Sequence, residues 1–268
     1  MACLPEPELK YRIWEAREAP PAMLLILLFF VAMWAGAQNA LAGGGSFLTL
    51  PTLMLTGMDA RAANVTSCVA LFPAQIATGW TGRDLSRGAA GLSLRTLFII
   101  SIVGGAVGAV ILLLTPPAFF ARLVPWLVLF ATAVFAYGSF LRKPGEANAH
   151  LSPRGAMASQ FLISVYGGYF GGGIGFLMVA ALTMAGQNVR IAAATKNVLA
   201  AVMNASAVAI FLFSPDLHLA QALVTSLGAT IGGVVGARLL HHIPDKWLRI
   251  VVIIIGALLT LGLFLRAP

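Results

Sequence analysis

Two glycine-rich stretches stand out as places where the backbone itself could bind a ligand. Gly43, Gly44 and Gly45 precede Ser46, and a second cluster lies at 171–175. Glycine allows a ligand to approach the main chain closely. A helix that starts there directs its N–H groups and its positive dipole end at an anion. The alternative interpretation is that these glycines only allow tight helix packing.

Polar residues follow each glycine cluster. Lys196 is the most informative of them, because an ammonium inside a membrane costs ~2.5–3.5 kcal/mol on insertion scales. A ligand anion or carbonyl oxygens at a helix end would offset that cost, whereas snorkelling to the interface is the competing interpretation. The predicted substrate-binding residues are Gly43, Gly44, Gly45, Ser46, Asn64, Thr66, Ser67, Gly172, Gly173, Gly175, Thr195, Lys196 and Asn197.

The composition places these residues in a membrane protein. Apolar residues make up 59% of the chain, charged residues 10%, and the mean hydropathy is +0.91. Uncharged stretches cover 19–58 and 155–189, and each is longer than the ~20 residues of one spanning helix. The net charge of +8 comes mostly from residues between apolar runs, which favours orientation in a lipid bilayer over nucleic-acid binding.

The two halves of the chain repeat each other at an offset of 129 positions. The sequence therefore predicts an all-α integral membrane protein with a duplicated helical repeat, about eight spanning helices and Gly-interrupted broken or re-entrant segments. The predicted organisation is an N-terminal interfacial segment 1–22, a first membrane repeat 23–141, a basic linker 142–155 and a second membrane repeat 156–266. A cleaved signal peptide is the alternative for the first segment.

Orientation follows from the basic loops. Arg83, Arg87 and Arg95 form one such loop and the linker another, so both are expected on the cytoplasmic side together with the N-terminus. Arg238, Lys246 and Arg249 would then lie outside, which fits the rule less well. If a short broken segment crosses the membrane, the count becomes nine and the repeats could be inverted.

The sequence lacks the residue patterns that several other functions would require. There is no G-x-x-x-x-G-K-[ST] motif for ATP and no carboxylate in the middle of a span for a proton relay. Cys3 and Cys68 have no metal-ligand spacing, and no nucleophile–base pair is evident. The sequence thus predicts a protein that is not an enzyme, with no cofactor and no metal.

Four motifs give the chain a family resemblance: Gly-Gly-Gly-Ser-Phe-Leu-Thr-Leu-Pro at 43–51, Ala-Asn-Val-Thr-Ser at 63–67, Gly-Gly-Gly-Ile-Gly-Phe at 171–176 and Ala-Ala-Thr-Lys-Asn at 193–197. With them the chain resembles the sulfite exporter TauE/SafE family of membrane transporters. The resemblance implies a multi-pass protein of the bacterial inner (plasma) membrane that moves small anions such as sulfite, sulfonates or related organic acids.

The expected function is export of a small anion, driven by the membrane potential. The expected partners are this small anionic substrate and the lipid bilayer, with no nucleic acid, and the sequence predicts no particular oligomer. A proton-coupled importer of small organic anions is the main alternative. A membrane-embedded assembly factor is a further alternative, which the missing catalytic constellation makes less attractive.

Overall fold

The computed structural model describes residues 22–41, 44–137, 151–239 and 245–266, and these form ten α-helices. The first five are α1 (Ala22–Leu41), α2 (Ser46–Leu55), α3 (Ala60–Gly82), α4 (Leu94–Leu114) and α5 (Pro117–Ala136). The second five are α6 (Pro153–Tyr169), α7 (Ile174–Met184), α8 (Val189–Phe211), α9 (Leu219–Leu239) and α10 (Asp245–Arg266). Gly43, nearly all of the predicted N-terminal segment and most of the predicted linker lie outside the described residues.

The predicted class of all-α membrane protein is confirmed. Within the described part of the chain, four stretches are long and apolar enough to cross a bilayer, namely Ala22–Asn39 within α1 and the whole of α4, α5 and α8. Shorter apolar stretches lie in α2, α7, α9 and α10. Large apolar side chains such as Trp80 and Leu114 are 67% and 77% exposed, a surface that lipid rather than water would cover. The count of eight spans remains a prediction.

Helix breaks occur at both glycine clusters, as the overlong uncharged stretches predicted. α1 ends at Leu41 and α2 begins at Ser46, while α6 ends at Tyr169 and α7 begins at Ile174. The breaks require glycine, because Gly44 and Gly173 have φ values of +86° and +73°, which L-residues rarely adopt. These two glycines are equivalent at the offset of 129 positions.

Equivalent helices of the two halves run in opposite directions where they meet. On α3 and α8, Gln75 contacts Asn204 while Gly82 lies against Ala194, so numbers rise on one helix as they fall on the other. α5 and α10 behave alike, since Trp126 stacks on Phe264 and Thr132 lies at Gly256. A two-fold axis that relates two antiparallel helices must be perpendicular to them. The two halves are therefore inverted repeats.

Each short helix leads the chain back towards the end from which its hairpin started. In the second half, the Leu151 N–H bonds the Met184 carbonyl and the Ala90 N–H bonds the Ala185 carbonyl. The start of α6, the end of α7 and the α3–α4 connection therefore share one end of the bundle, which we call the arginine end after Arg83, Arg87 and Arg95 in that connection.

The opposite end, which we call the aspartate end, is defined by Asp216. Its carboxylate pairs with Arg61 at the start of α3, and Arg61 also bonds carbonyls at the end of α4. α1 starts at the aspartate end as well, because it runs parallel to α9, with Phe29 at Gly228 and Met33 at Gly232. α1 and α2 thus repeat the hairpin of α6 and α7 from the opposite side.

These directions change the expected orientation. α9 runs from the aspartate end to the arginine end, so its last residue, Leu239, and the first residue of α10, Asp245, lie at the arginine end rather than across the membrane from it. The described helix ends that flank the basic stretches then share one side, which the positive-inside rule predicts to be cytoplasmic. The start of α1 lies at the opposite, aspartate end, and not inside as the sequence suggested. A ten-residue apolar helix does not reveal its direction in sequence, and this caused the difference.

Candidate functional site

A small cavity lies between the two broken helices and the crossing of α3 and α8. Its volume is about 40 Å³, which corresponds to roughly three water molecules. Lys196, on its wall, is seven residues inside α8, or about 10 Å from the arginine end. The lining residues are Asn39, Gly44, Ser46, Gln75, Thr78, Gly171, Gly173, Ile174, Gly175, Lys196, Asn197 and Ala200.

Both halves of the predicted site contribute to this cavity. The predicted residues that line it are Gly44, Ser46, Gly173, Gly175, Lys196 and Asn197. Those that lie outside its lining are Gly45, Asn64, Thr66, Ser67, Gly172 and Thr195. Gly43 is outside the described residues. The fold thus brings together residues that are about 150 positions apart in sequence.

The N-termini of both short helices lie at the cavity, because Ser46 and Ile174, their first residues, are in its lining. In α2 the Phe47 N–H bonds the Gly44 carbonyl at 3.0 Å, and in α7 the Phe176 N–H bonds the Gly173 carbonyl at 3.3 Å. The N–H groups before these have no carbonyl one turn earlier in the helix to accept from them. Two positive dipole ends therefore meet at one small space, an arrangement that favours negative charge.

Lys196 adds a full positive charge to the cavity. Its side chain lies over Gly175, where Nζ is 3.7 Å from the position that a Cβ would occupy. Among the described residues the ion pairs are Arg61–Asp216 and Arg83–Asp84, so no described carboxylate pairs with Lys196. A lysine that lines the cavity without a counter-ion fits ligand binding better than snorkelling.

The predicted threonines bind backbone groups in the opposite repeat. Thr195 Oγ1 accepts from the Arg87 N–H at 3.1 Å, and Thr66 Oγ1 accepts from the His218 N–H at 3.2 Å. The two threonines are equivalent at the 129-position offset and their N–H partners lie two positions from equivalence, so a similar contact is made at each end of the bundle. Their hydroxyls stabilise the connections that precede α4 and α9.

Other predicted residues hold the broken helices in place. Asn64 Nδ2 donates to the Tyr169 carbonyl at 3.1 Å, which is a carbonyl that the end of α6 leaves without a helical partner. The Ser67 and Thr49 hydroxyls are 2.6 Å apart and join α3 to α2. Such partners are obligatory where backbone is broken at membrane depth.

Six of the lining residues were not among the individually predicted ones, although Gly171 and Ile174 lie within the predicted glycine cluster: Asn39, Gln75, Thr78, Gly171, Ile174 and Ala200. Asn39, Gln75 and Thr78 carry a usable signal, since polar side chains inside an apolar span usually face a cavity or a partner helix. Ile174 and Ala200 carry none. Their place in the lining depends on how α7 and α8 pack.

Arg61 and its equivalent position behave differently. Arg61 Nε lies 2.9 Å from Asp216 Oδ2, and Nη1 donates to the Leu113 and Thr115 carbonyls. Both side chains of the ion pair are largely buried. At the equivalent positions of the other repeat, Arg190 replaces Arg61 and Arg87 replaces Asp216. The aspartate end thus has an ion pair that the arginine end does not repeat.

Comparison with known proteins gives matches along nearly the whole chain. The family model described as "Sulfite exporter TauE/SafE" matches residues 28–263. A probable membrane transporter protein of Haemophilus influenzae is 30% identical over 246 residues, which cover 88% of this chain and 93% of that protein. A probable membrane transporter protein of Escherichia coli strain K12 is 29% identical over 243 residues, covering 89% and 88%. A probable membrane transporter protein of a Sinorhizobium species is 26% identical over 246 residues, covering 90% and 92%.

Proposed function

This chain belongs to the sulfite exporter TauE/SafE family, and from that premise and the cavity around Lys196 we propose that it exports a small anion across the bacterial inner membrane. Membership makes it an integral membrane protein and a transporter. The proposed substrates are sulfite, a sulfonate or a related small organic acid. Inverted repeats with two broken helices at their interface are the usual architecture of a secondary transporter's binding site.

One observation carries the proposal: Lys196 lines the cavity between two helix N-termini, and no described carboxylate pairs with it. Burying that ammonium in a membrane costs ~2.5–3.5 kcal/mol. A bound anion would offset the cost and would also satisfy the free N–H groups of both short helices. A cation would meet three positive ends at once, so the site disfavours it.

The size of the cavity limits the substrate. About 40 Å³ accommodates an anion of a few heavy atoms in this conformation, whereas drug-sized ligands occupy pockets of ~300–1,000 Å³. Sulfite, with four heavy atoms, and methanesulfonate, with five, are at the small end of the proposed substrates. A larger organic acid would require the short helices to move apart.

The membrane potential is the proposed driving force. A negative interior favours anion exit by ~2.3 kcal/mol per charge per 100 mV. For a dianion the energy doubles, which is enough for a concentration ratio of more than about a thousand. Among the residues that line the cavity, Lys196 is the ionisable one, so the described lining offers no carboxylate to couple anion movement to protons.

The test is flux through vesicles that contain the purified protein. Labelled sulfite or methanesulfonate should cross faster than in empty vesicles, and a potassium-diffusion potential should set the direction of net movement. If no small anion moves faster although the protein is folded, the proposal is wrong. Flux that ignores the potential and follows an imposed pH gradient would instead indicate the proton-coupled alternative.

A further inference from the structure

Gln75 and Asn204 meet on the axis that relates the two repeats. They are equivalent at the offset of 129 positions, and Asn204 Nδ2 donates to Gln75 Oε1 at 2.6 Å. The close crossing of α3 and α8 permits this contact, because Gly79 lies against Ala201 with no room for a Cβ. The bond therefore joins the repeats at the centre of the bundle.

The two amides have different surroundings. Gln75 lines the cavity, whereas Asn204 does not and is only 3% exposed. The bond engages the oxygen of Gln75, so its Nε2 amide group remains for another partner. Among the described residues the hydrogen bond of the Gln75 side chain is the one to Oε1, and Nε2 makes none. The free donor thus belongs to the side chain that faces the cavity.

Orientation of the Gln75 amide decides whether it attracts or repels an anion. With Nε2 towards the cavity, the amide adds a neutral donor beside Lys196 and the helix N-termini. Turned over, it would present Oε1, whose partial negative charge opposes a bound anion. In the observed pairing Asn204 donates to Oε1, so turning the Gln75 amide alone would place two donor groups against each other.

We infer that Gln75 is a specificity-determining contact for the anion and that Asn204 is a positioning residue, which acts on the anion only by holding the Gln75 amide with its donors towards the cavity. The inference rests on the proposed function. It adds two residues from the middle of α3 and α8 to a site that the glycine clusters and Lys196 otherwise define.

A double-mutant cycle tests this division of roles. The measurement is the dissociation constant of sulfite and of methanesulfonate for the purified full chain in detergent. Gln75→Ala removes one donor to a charged ligand and should weaken binding about tenfold. Asn204→Ala leaves the Gln75 amide free to turn, so only a fraction of the protein has Nε2 towards the cavity. Binding should therefore weaken about threefold. In the Gln75→Ala background, Asn204→Ala should have no further effect.

Asn204→Asp provides a second variant that preserves the side-chain shape. Its carboxylate only accepts hydrogen bonds, so the Gln75 amide must turn Nε2 towards it and Oε1 towards the cavity. The affinity should fall further than with Asn204→Ala, and part of that loss should vanish in the Gln75→Ala background. Asn188→Asp is the matched control, since Asn188 caps the start of α8 and Asp caps a helix about as well as Asn.

The outcomes distinguish a failure of this inference from a failure of the proposed function. If the wild-type chain binds neither sulfite nor methanesulfonate, the proposed function is wrong. If the wild-type chain binds them and both Asn204 variants bind them as tightly as the wild type, the positioning role is wrong. Equal losses from Asn204→Ala in both backgrounds would also overturn it, because a purely structural effect does not depend on the presence of Gln75. The melting temperature without anion identifies a variant that has simply lost its fold.

Discussion

Replacing Lys196 should weaken anion binding without lowering the stability of the protein. Lys196→Gln removes the charge that lines the cavity and keeps a polar side chain of similar reach. A hydrogen bond to a charged group contributes ~1.5–3 kcal/mol, so the anion should bind about 10- to 150-fold more weakly. The same change also removes an ammonium whose burial costs ~2.5–3.5 kcal/mol. The protein without anion should therefore unfold at the same temperature as the wild type or at a higher one.

The assay compares sulfite flux and melting temperature for three proteins. Arg190→Gln is the control, because Arg190 is an exposed residue at the start of the same helix and the charge change is the same. It should leave flux near the wild-type value. Adding sulfite should raise the melting temperature of the wild type and of Arg190→Gln, but hardly that of Lys196→Gln. Flux within a factor of two of wild type for Lys196→Gln would refute the role of Lys196 in binding.

Three further substitutions test how the site is supported, each by thermal unfolding in detergent. Gly173→Ala should destabilise the protein by more than about 1 kcal/mol, because φ is +73° and the new Cβ would lie 2.9 Å from a neighbouring methyl group. Gly175→Ala should fold normally, since its nearest neighbours are 3.6 Å away; equal losses would contradict the strain argument. Asp216→Asn should cost about 1–2 kcal/mol by leaving a largely buried arginine without its counter-ion, while Asp84→Asn at the exposed pair should change little. Thr195→Val should cost about 1 kcal/mol, because it leaves a backbone N–H of the arginine end without its acceptor, and an unchanged melting temperature would show that this contact does not stabilise the fold.

The helix breaks could be predicted because the uncharged stretches were too long for single helices and contained glycine where a helix had to stop. Lys196 could be predicted as well, since a charge inside an apolar span is costly and needs a reason. Both arguments depend only on local sequence. They gave the positions of the broken helices and, within and next to them, residues that line the cavity such as Gly44, Gly173 and Lys196.

The direction of the short helices could not be predicted in the same way. An apolar helix of 10 or 11 residues has the same composition whether it continues across the membrane or returns to the end where its hairpin began. The contacts that decide the matter, such as Leu151 with Met184, join residues far apart in sequence. The inverted arrangement of the repeats and the common side of the helix ends that flank the basic stretches depend on those contacts.

The polar lining was also only partly predictable. Thr66 and Thr195 have the residue type expected of anion ligands, yet their hydroxyls bind N–H groups of the opposite repeat. Gln75 lines the cavity because α3 crosses α8 closely at Gly79. Which face of a spanning helix meets the axis of the repeats depends on that crossing, and apolar helices carry little sequence pattern that reveals it.

The most direct test of the central claim is the electrical current that follows a rapid rise in sulfite concentration across membranes containing the protein. If an anion passes through the Lys196 cavity without a coupled ion, the current should have the sign of negative charge moving down the sulfite gradient. It should be absent from protein-free membranes and much smaller with Lys196→Gln. Sulfite flux without any current, or an equal current for the wild type and Lys196→Gln, would contradict the account.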